Sequence, residues 1–284
     1  MSKIIICVDG SDYSVNVCDL SLWAQKKLKS DISILHVASP HDESASKRDL
    51  SGAIGVGARN NILEYLVKID EKHGKEEREK GRLILDKARE YLVNKVGGKV
   101  ETIHLRGFVP EIIAQMQDAA DLIVIGKKGE KNQDLEKIGS NLEKIARSTN
   151  KPLLIASKQI KTIERFLIAF DGSENGQKII DYATSNPLLQ DLKCDLLMIA
   201  EQGSEDEISL KKAEIQLSNS GLKVQSYLKQ GKFVEDVVKK HILEHSINLL
   251  VIGAYGHSKI RSFIIGSTTS ELIKKSAIPL LLLR

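Results

Sequence analysis

The sequence is poor in aromatic residues and has no long apolar run. Phe, Trp and Tyr together make up 4% of its 284 residues, too few for the stacking surfaces that bind single-stranded nucleic acids. No run is long enough to span a bilayer, and the strand pattern of residues 3–8 follows the N-terminus directly, without a signal-peptide core. We therefore expect a cytoplasmic protein that binds neither nucleic acid nor a membrane.

Cysteine is also scarce, and the charge is nearly balanced. The three cysteines, Cys7, Cys18 and Cys194, have no C-x-x-C spacing, which favours buried thiols of a reducing compartment over a disulfide framework. The histidines show no metal-ligand spacing, so we expect no zinc site. The formal net charge of +4 is too small and too mixed in sign to indicate a nucleic-acid-binding surface.

One glycine pattern occurs twice in the chain. An apolar run is followed by G-x2-G-x9-G-S, first at Gly126, Gly129 and Gly139-Ser140 and again at Gly253, Gly256 and Gly266-Ser267. The residues between the glycines differ, whereas the glycines and the serine recur. Glycine lets a backbone approach a ligand closely, and a serine that opens a helix lies where a phosphate is held best. The alternative for a single copy is an ordinary turn with a helix cap.

The same order of strands and helices surrounds both copies, which indicates a tandem duplication. Apolar strands that alternate with helices predict an α/β fold of two doubly wound domains, each a five-stranded parallel sheet with helices on both faces. We place the domains at 1–158 and 163–284. The first domain contains an insertion at about 38–75, which includes one periodic piece at 62–69. A separate charged helix follows the insertion, from about 76 to 96.

Each half also has Asp-Gly-Ser after its first strand, beginning at Asp9 and at Asp171. Parallel sheets bind ligands beyond the carboxyl ends of their strands, so each aspartate and the glycine loop of its half are expected to converge. The alternative is that both aspartates only cap the helices that follow them.

Together with Leu35-His36-Val37 in the second strand, these motifs resemble the universal stress protein family, twice over and along essentially the whole chain. The resemblance implies an adenine nucleotide alpha hydrolase-like fold. It also implies ATP, or AMP or ADP, as ligand, with Mg²⁺ left open. Pairing through the fifth strands, Leu153–Ala156 and Leu280–Leu283, is implied too, between the two halves or in a homodimer.

Matched to the family motif, the phosphate contacts in the first half are Gly126, Gly129, Gly139, Ser140 and Asn141. In the second half they are Gly253, Gly256, Gly266, Ser267 and Thr268. Asp9 and Asp171 match the aspartate near the nucleoside, and Val37 matches the residue whose backbone meets adenine. No catalytic residue is assigned.

The halves are expected to be unequal. The second loop carries His257, Lys259 and Arg261, which suit an anionic ligand, whereas the first loop is partly acidic. However, Glu201 lies near the second adenine position and disfavours that site.

We expect a regulatory nucleotide-binding protein. A slow ATPase is one alternative, although the chain lacks a G-x4-G-K-[ST] loop. A scaffold or a binder of another small molecule is the other, and in that case the insertion with Gly52, Gly55 and Gly57 could form a lid.

Overall fold

The chain forms alternating strands and helices in both halves. The computed structural model describes residues 3–39, 56–129, 138–201, 203, 205–254 and 266–284, and of residues 56–73 the backbone alone. The strands are β1 (Lys3–Cys7), β2 (Asp31–Ala38), β3 (Val100–Arg106), β4 (Leu122–Gly126), β5 (Leu153–Ala156), β6 (Arg165–Phe170), β7 (Lys193–Ile199), β8 (Lys223–Lys229), β9 (Leu249–Gly253) and β10 (Leu280–Leu283). The helices are α1 (Tyr13–Leu28), α2 (Val56–Val93), α3 (Val109–Met116), α4 (Ser140–Ser148), α5 (Glu174–Ser185), α6 (Glu205–Asn219), α7 (Val234–Glu244) and α8 (Ser267–Lys275).

Within the described residues, the ten strands form one sheet in the order β3-β2-β1-β4-β5-β10-β9-β6-β7-β8. The strands of each half are mutually parallel, which confirms the predicted pair of five-stranded parallel units. The strand order reverses direction at β1 and β4 in the first half and at β6 and β9 in the second. A crevice is expected at each of these points.

The two halves meet through their fifth strands, as predicted. β5 and β10 pair antiparallel, with Leu154 opposite Leu281. Both strands are buried along their whole length. Their pairing covers two edges whose backbone groups would otherwise be left open.

Apolar side chains line both faces of the sheet, because successive strand residues point to opposite sides. One core cluster includes Ile4, Ile6, Phe166 and Ile168 and packs against α1, α2, α5 and α6. The other includes Ile5 and Leu167 and packs against α3, α4, α7 and α8. Each cluster contains residues of both halves, so the two repeats share their cores.

Helix α2 corrects the prediction for the inserted segment. The sequence pattern predicts two separate pieces, whereas the structure has one helix from Val56 to Val93. Gly74 lies inside it, and a Cβ there would meet nothing within 4 Å. A solvent-facing glycine weakens a helix by only about 1 kcal/mol relative to alanine, which is not enough to end it. Residues 40–55, with the proposed lid glycines Gly52 and Gly55, lie outside the described residues, whereas Gly57 is the second residue of α2.

The close packing of α2 against the sheet depends on a second glycine. A Cβ at Gly81 would come within 2.4 Å of His104 Nε2 and 2.8 Å of His36 Cδ2. The absence of a side chain at Gly81 therefore lets α2 lie directly over β2 and β3, beside the crevice. Among the described residues, no helix is both long and apolar enough to cross a membrane.

Candidate functional site

A crevice of about 230 Å³ opens at the carboxyl ends of β1, β2 and β4. All seven site residues predicted for the first half line it. They are Asp9, Val37, Gly126, Gly129, Gly139, Ser140 and Asn141. They come from four separate segments of the chain, which the parallel topology brings to one edge of the sheet. The predicted convergence of the Asp-Gly-Ser and glycine elements is thus observed in this half.

The loop after β1 holds the Asp9 carboxylate in one orientation. Its Oδ1 accepts hydrogen bonds from the Ser11 backbone N–H at 3.0 Å and from the Ser14 hydroxyl at 3.3 Å. The Ser14 hydroxyl oxygen in turn accepts from the Gly10 N–H at 3.0 Å. Gly10 has φ +81°, a conformation that other residues rarely adopt. The loop therefore positions Asp9 before any ligand binds.

The first-half glycines lie where a side chain would collide. A Cβ at Gly126 would be 2.7 Å from Tyr13 Cβ, and one at Gly129 would be 2.8 Å from Asp9 Oδ2. A Cβ at Gly139 would be 3.3 Å from the Lys127 carbonyl oxygen, which accepts a 3.4 Å hydrogen bond from the Gly139 N–H. The two ends of the glycine loop thus close on each other.

Helix α4 begins at the crevice with Ser140. Its N-cap residue is Gly139, and no side chain of the described residues caps it. The first N–H groups of a helix have no intrahelical partners and carry the positive end of its dipole. Ser140 and Asn141 are exposed and line the crevice, so this helix end can receive an anion.

Sequence reasoning missed several residues of the crevice wall. Tyr13 lies against Gly126, Lys128 is buried, and Glu77 and Lys80 reach the wall from α2. Glu77 and Lys80 are three residues apart and so share one helix face. Both residues lie within the charged helix predicted from about 76 to 96, but its many charges gave no sign of which of them would face the crevice.

Lys127 in the glycine loop extends toward the second half. Its ammonium group donates to the carbonyl oxygens of Lys274 at 2.5 Å and Ser276 at 2.9 Å, at the end of α8. Burial, and secondarily the neighbouring Lys128, lower the pKa of Lys127 to about 8. The loop is therefore tied directly to the other repeat.

Cys7 also lines the crevice. Burial, with a smaller effect of Asp9, raises the pKa of its thiol to about 12. A thiol that stays protonated at neutral pH is a poor nucleophile, so Cys7 is not proposed as one.

The second half repeats the frame of the loop. Gly253 ends β9, Gly266 is the N-cap residue of α8, and the Gly266 N–H donates to the Ala254 carbonyl oxygen at 3.4 Å. This bond corresponds to the one from Gly139 to Lys127. Ser267 and Thr268 are exposed in the first turn of α8. Gly256, His257, Lys259 and Arg261 lie outside the described residues.

The capping alternative for the two aspartates is wrong. The N-cap residue of α1 is Asp12, and that of α5 is Ser173, whose hydroxyl oxygen accepts from the Gly176 N–H. Asp171 Oδ1 instead accepts from the Ser173 N–H at 3.0 Å and from its hydroxyl at 2.6 Å. Neither Asp9 nor Asp171 is therefore the N-cap residue of the helix that follows it.

Comparison with known proteins agrees with this architecture. A model described as the universal stress protein family matches residues 1–157 and again 162–284. Universal stress protein Slr1230 of Synechocystis sp. is 32% identical over 288 residues, covering 100% of both chains. Universal stress protein YxiE of Bacillus subtilis is 29% identical over 156 residues, covering 54% of this chain and 97% of that protein.

A crystal structure of a universal stress protein from Archaeoglobus fulgidus has the same fold. Its TM-score is 0.72 at 18% identity, and the match covers 99% of this chain and 96% of the other. The family model matches both halves, and one relative matches the full length, as the duplicated crevice elements lead us to expect. The chain therefore belongs to the universal stress protein family.

Proposed function

We propose that this protein binds an adenine nucleotide, ATP above all, in the crevice of its first half, as a ligand that regulates its conformation or association. The observation that carries the proposal is the convergence at one cavity. The uncapped N-terminus of α4, Gly129 and Gly139 line the same crevice of about 230 Å³ as Asp9 and Val37 do.

The phosphate groups would lie against the glycine loop and α4. Backbone N–H groups at a helix N-terminus bind phosphate well, and the absence of side chains at Gly129 and Gly139 lets the glycine loop pack against Asp9 and Lys127 beside that terminus. The Ser140 hydroxyl adds a donor at the same point. Lys80 and Lys128 on the wall contribute positive charge toward an anionic ligand.

The nucleoside would lie toward β1 and β2. Val37 lines the crevice near the end of β2, where its backbone would meet the adenine ring, and Asp9 would accept hydrogen bonds from ribose hydroxyls. Because Asp9 Oδ2 faces Gly129, a carboxylate borders the phosphate loop. A bound Mg²⁺ would relieve the repulsion between this carboxylate and the phosphates, so we expect Mg²⁺ to strengthen ATP binding more than AMP binding.

The test is calorimetric titration of nucleotide-stripped, folded protein with ATP and Mg²⁺, repeated with Gly139→Val and Gly266→Val. We expect saturable binding that Gly139→Val weakens at least about tenfold, which is 1.4 kcal/mol. Gly97→Val is the control, because a Cβ at Gly97 would meet nothing within 4 Å. A stoichiometry of two, reduced to one by Gly266→Val, would extend the proposal to the second half.

Two results would contradict the proposal. One is the absence of binding in protein whose circular dichroism shows it to be folded, which would favour a scaffold. The other is wild-type affinity in both valine variants. Release of phosphate during the titration would favour the slow ATPase instead.

A further inference from the structure

The pairing of the strands shows which residues of the two halves are equivalent. β1 and β2 pair from Lys3 and Asp31 onward, and β6 and β7 pair from Arg165 and Lys193 onward. The first two strands of one half therefore correspond to those of the other half without a gap. The side chains at the carboxyl ends of these strands can be compared position by position.

Two equivalent positions carry different side chains in the two halves. Val8, directly after β1, and His36 in β2 line the crevice of the first half. Their equivalents are Phe170, the last residue of β6, and Met198 in β7. A phenyl ring thus replaces a branched aliphatic side chain, and an unbranched thioether chain replaces an imidazole.

The Phe170 ring lies between the end of β6 and the first turn of α5. A Cβ at Gly176 would be 3.0 Å from Phe170 Cε2 and 3.1 Å from its Cδ2, so the ring packs directly on the Gly176 backbone. The equivalent of Gly176 is Ser14, because each follows the Asp-Gly-Ser element of its half at the same spacing. Ser14 lines the crevice together with Val8. The ring therefore fills the part of the second half that corresponds to the crevice between these two residues.

Met198 fills the same region from the neighbouring strand. Its Cε would be 3.3 Å from a Cβ at Gly172, so the thioether chain reaches the loop that follows β6. His36 is instead held toward β1, where its Nδ1 donates to the Val8 carbonyl oxygen at 2.8 Å. Methionine cannot donate such a hydrogen bond, and its flexible side chain fills irregular gaps well.

The described part of the phosphate frame is alike in both halves. The Gly266 N–H donates to the Ala254 carbonyl oxygen as the Gly139 N–H does to that of Lys127, and a glycine is the N-cap residue of both α4 and α8. The halves thus differ at the end of the site where the nucleoside is expected.

We propose that Phe170 and Met198 exclude a nucleoside from the second half, whereas Val8 and His36 admit it to the first, so that each chain binds one adenine nucleotide. This inference rests on the proposed function and adds the residues that decide which repeat takes the ligand. A ligand pocket is lined by apolar side chains that leave room for the ligand. In the second half, the phenyl ring and the thioether chain themselves occupy the equivalent space.

The stoichiometry is tested first, by titration calorimetry with ATP and Mg²⁺ on the full-length, nucleotide-stripped protein. We expect one site per chain, which Gly139→Val weakens at least about tenfold and Gly266→Val leaves unchanged. Two sites per chain, or one site that Gly266→Val removes, would overturn this inference but not the proposed function. The absence of any binding to the folded wild type would overturn both.

The role of the side chain at position 8 is tested by Val8→Phe, with Val15→Phe as the matched control at an exposed position of α1. Circular dichroism checks the fold of both variants. We expect Val8→Phe to weaken ATP and adenosine binding alike, at least about tenfold, because the ring blocks the nucleoside end. Unchanged affinity, or a loss for ATP alone, would overturn the assignment.

The reverse exchange tests the second half. In Gly139→Val protein, where the first site is weakened, Phe170→Val combined with Met198→His should open the second crevice and create one saturable ATP site per chain. A folded protein that shows no gain of binding would mean that these two side chains do not exclude the nucleoside.

Discussion

The Cβ that any residue other than glycine would bring to position 129 lies 2.8 Å from Oδ2 of Asp9. This distance is shorter than real Cβ contacts, so the loop after β4 and the loop after β1 fit together only while position 129 has no side chain. The hydrogen bonds from the Ser11 N–H and the Ser14 hydroxyl hold the other oxygen of Asp9. Asp9 therefore cannot turn away from a side chain at position 129 without losing them.

Gly129→Ala is accordingly expected to weaken ATP binding at least about tenfold, or 1.4 kcal/mol. The new methyl group would displace either the carboxylate or the glycine loop, and both line the crevice. Titration calorimetry with ATP and Mg²⁺ measures the change. Gly97→Ala is the matched control, and equal affinities in the two variants would show that the loop does not contact the ligand.

Lys80 on α2 provides a separate test of the phosphate position. Lys80 is exposed and lines the crevice, so Lys80→Ala should reduce the affinity for ATP about three- to tenfold, as expected for an exposed charge near an anion. The affinity for adenosine should change little. Lys87→Ala, which removes an exposed lysine of the same helix outside the crevice wall, is the control. An equal loss for ATP and adenosine would place Lys80 at the nucleoside instead.

The elements that could be predicted from the sequence are those with strong local signals. The apolar strands Leu122–Gly126 and Leu249–Gly253 and the glycine spacing predict the sheet and the crevice edge, because parallel topology gathers strand ends. The sequence predicts helix α2 in two pieces because its apolar periodicity is interrupted before residue 76. Its tertiary packing through Gly81 could not be seen in the pattern.

The cluster of Asp195, His241 and His245, in which both imidazoles lie within 3.4 Å of Asp195 Oδ2, was not predicted from the sequence for a different reason. His241 and His245 are four residues apart, but two histidines at that spacing predict little without a third partner. Asp195 is distant in sequence, and its position within an apolar strand pattern gives no sign of its partners. Only the packing of α7 against β7 and β8 brings the three together.

Gly74 and Gly81, two of the three glycines of α2, should respond oppositely to alanine. Gly74→Ala places a methyl group in open space and should raise the free energy of unfolding by about 0.5–1 kcal/mol. Gly81→Ala would place a methyl group 2.4 Å from His104 Nε2. It should lower the free energy of unfolding by about 1–2 kcal/mol, because overpacking outweighs the gain in helix propensity. Urea unfolding with unchanged m-values measures both. Stabilisation by both substitutions would contradict the close packing of α2 on the sheet.

The junction of the two repeats can be tested with a double-mutant cycle on Leu154 and Leu281. These buried side chains lie opposite each other across β5 and β10, so each change to alanine should cost about 2–5 kcal/mol. Because they share one contact, the double variant should deviate from additivity by about 0.5–2 kcal/mol. Leu281→Ala combined with Leu243→Ala, whose side chain is 73% exposed on α7, should be additive within about 0.5 kcal/mol. Chemical denaturation of the four proteins of each cycle gives these values. Additivity for Leu154 and Leu281 would mean that the two repeats do not pack through these strands.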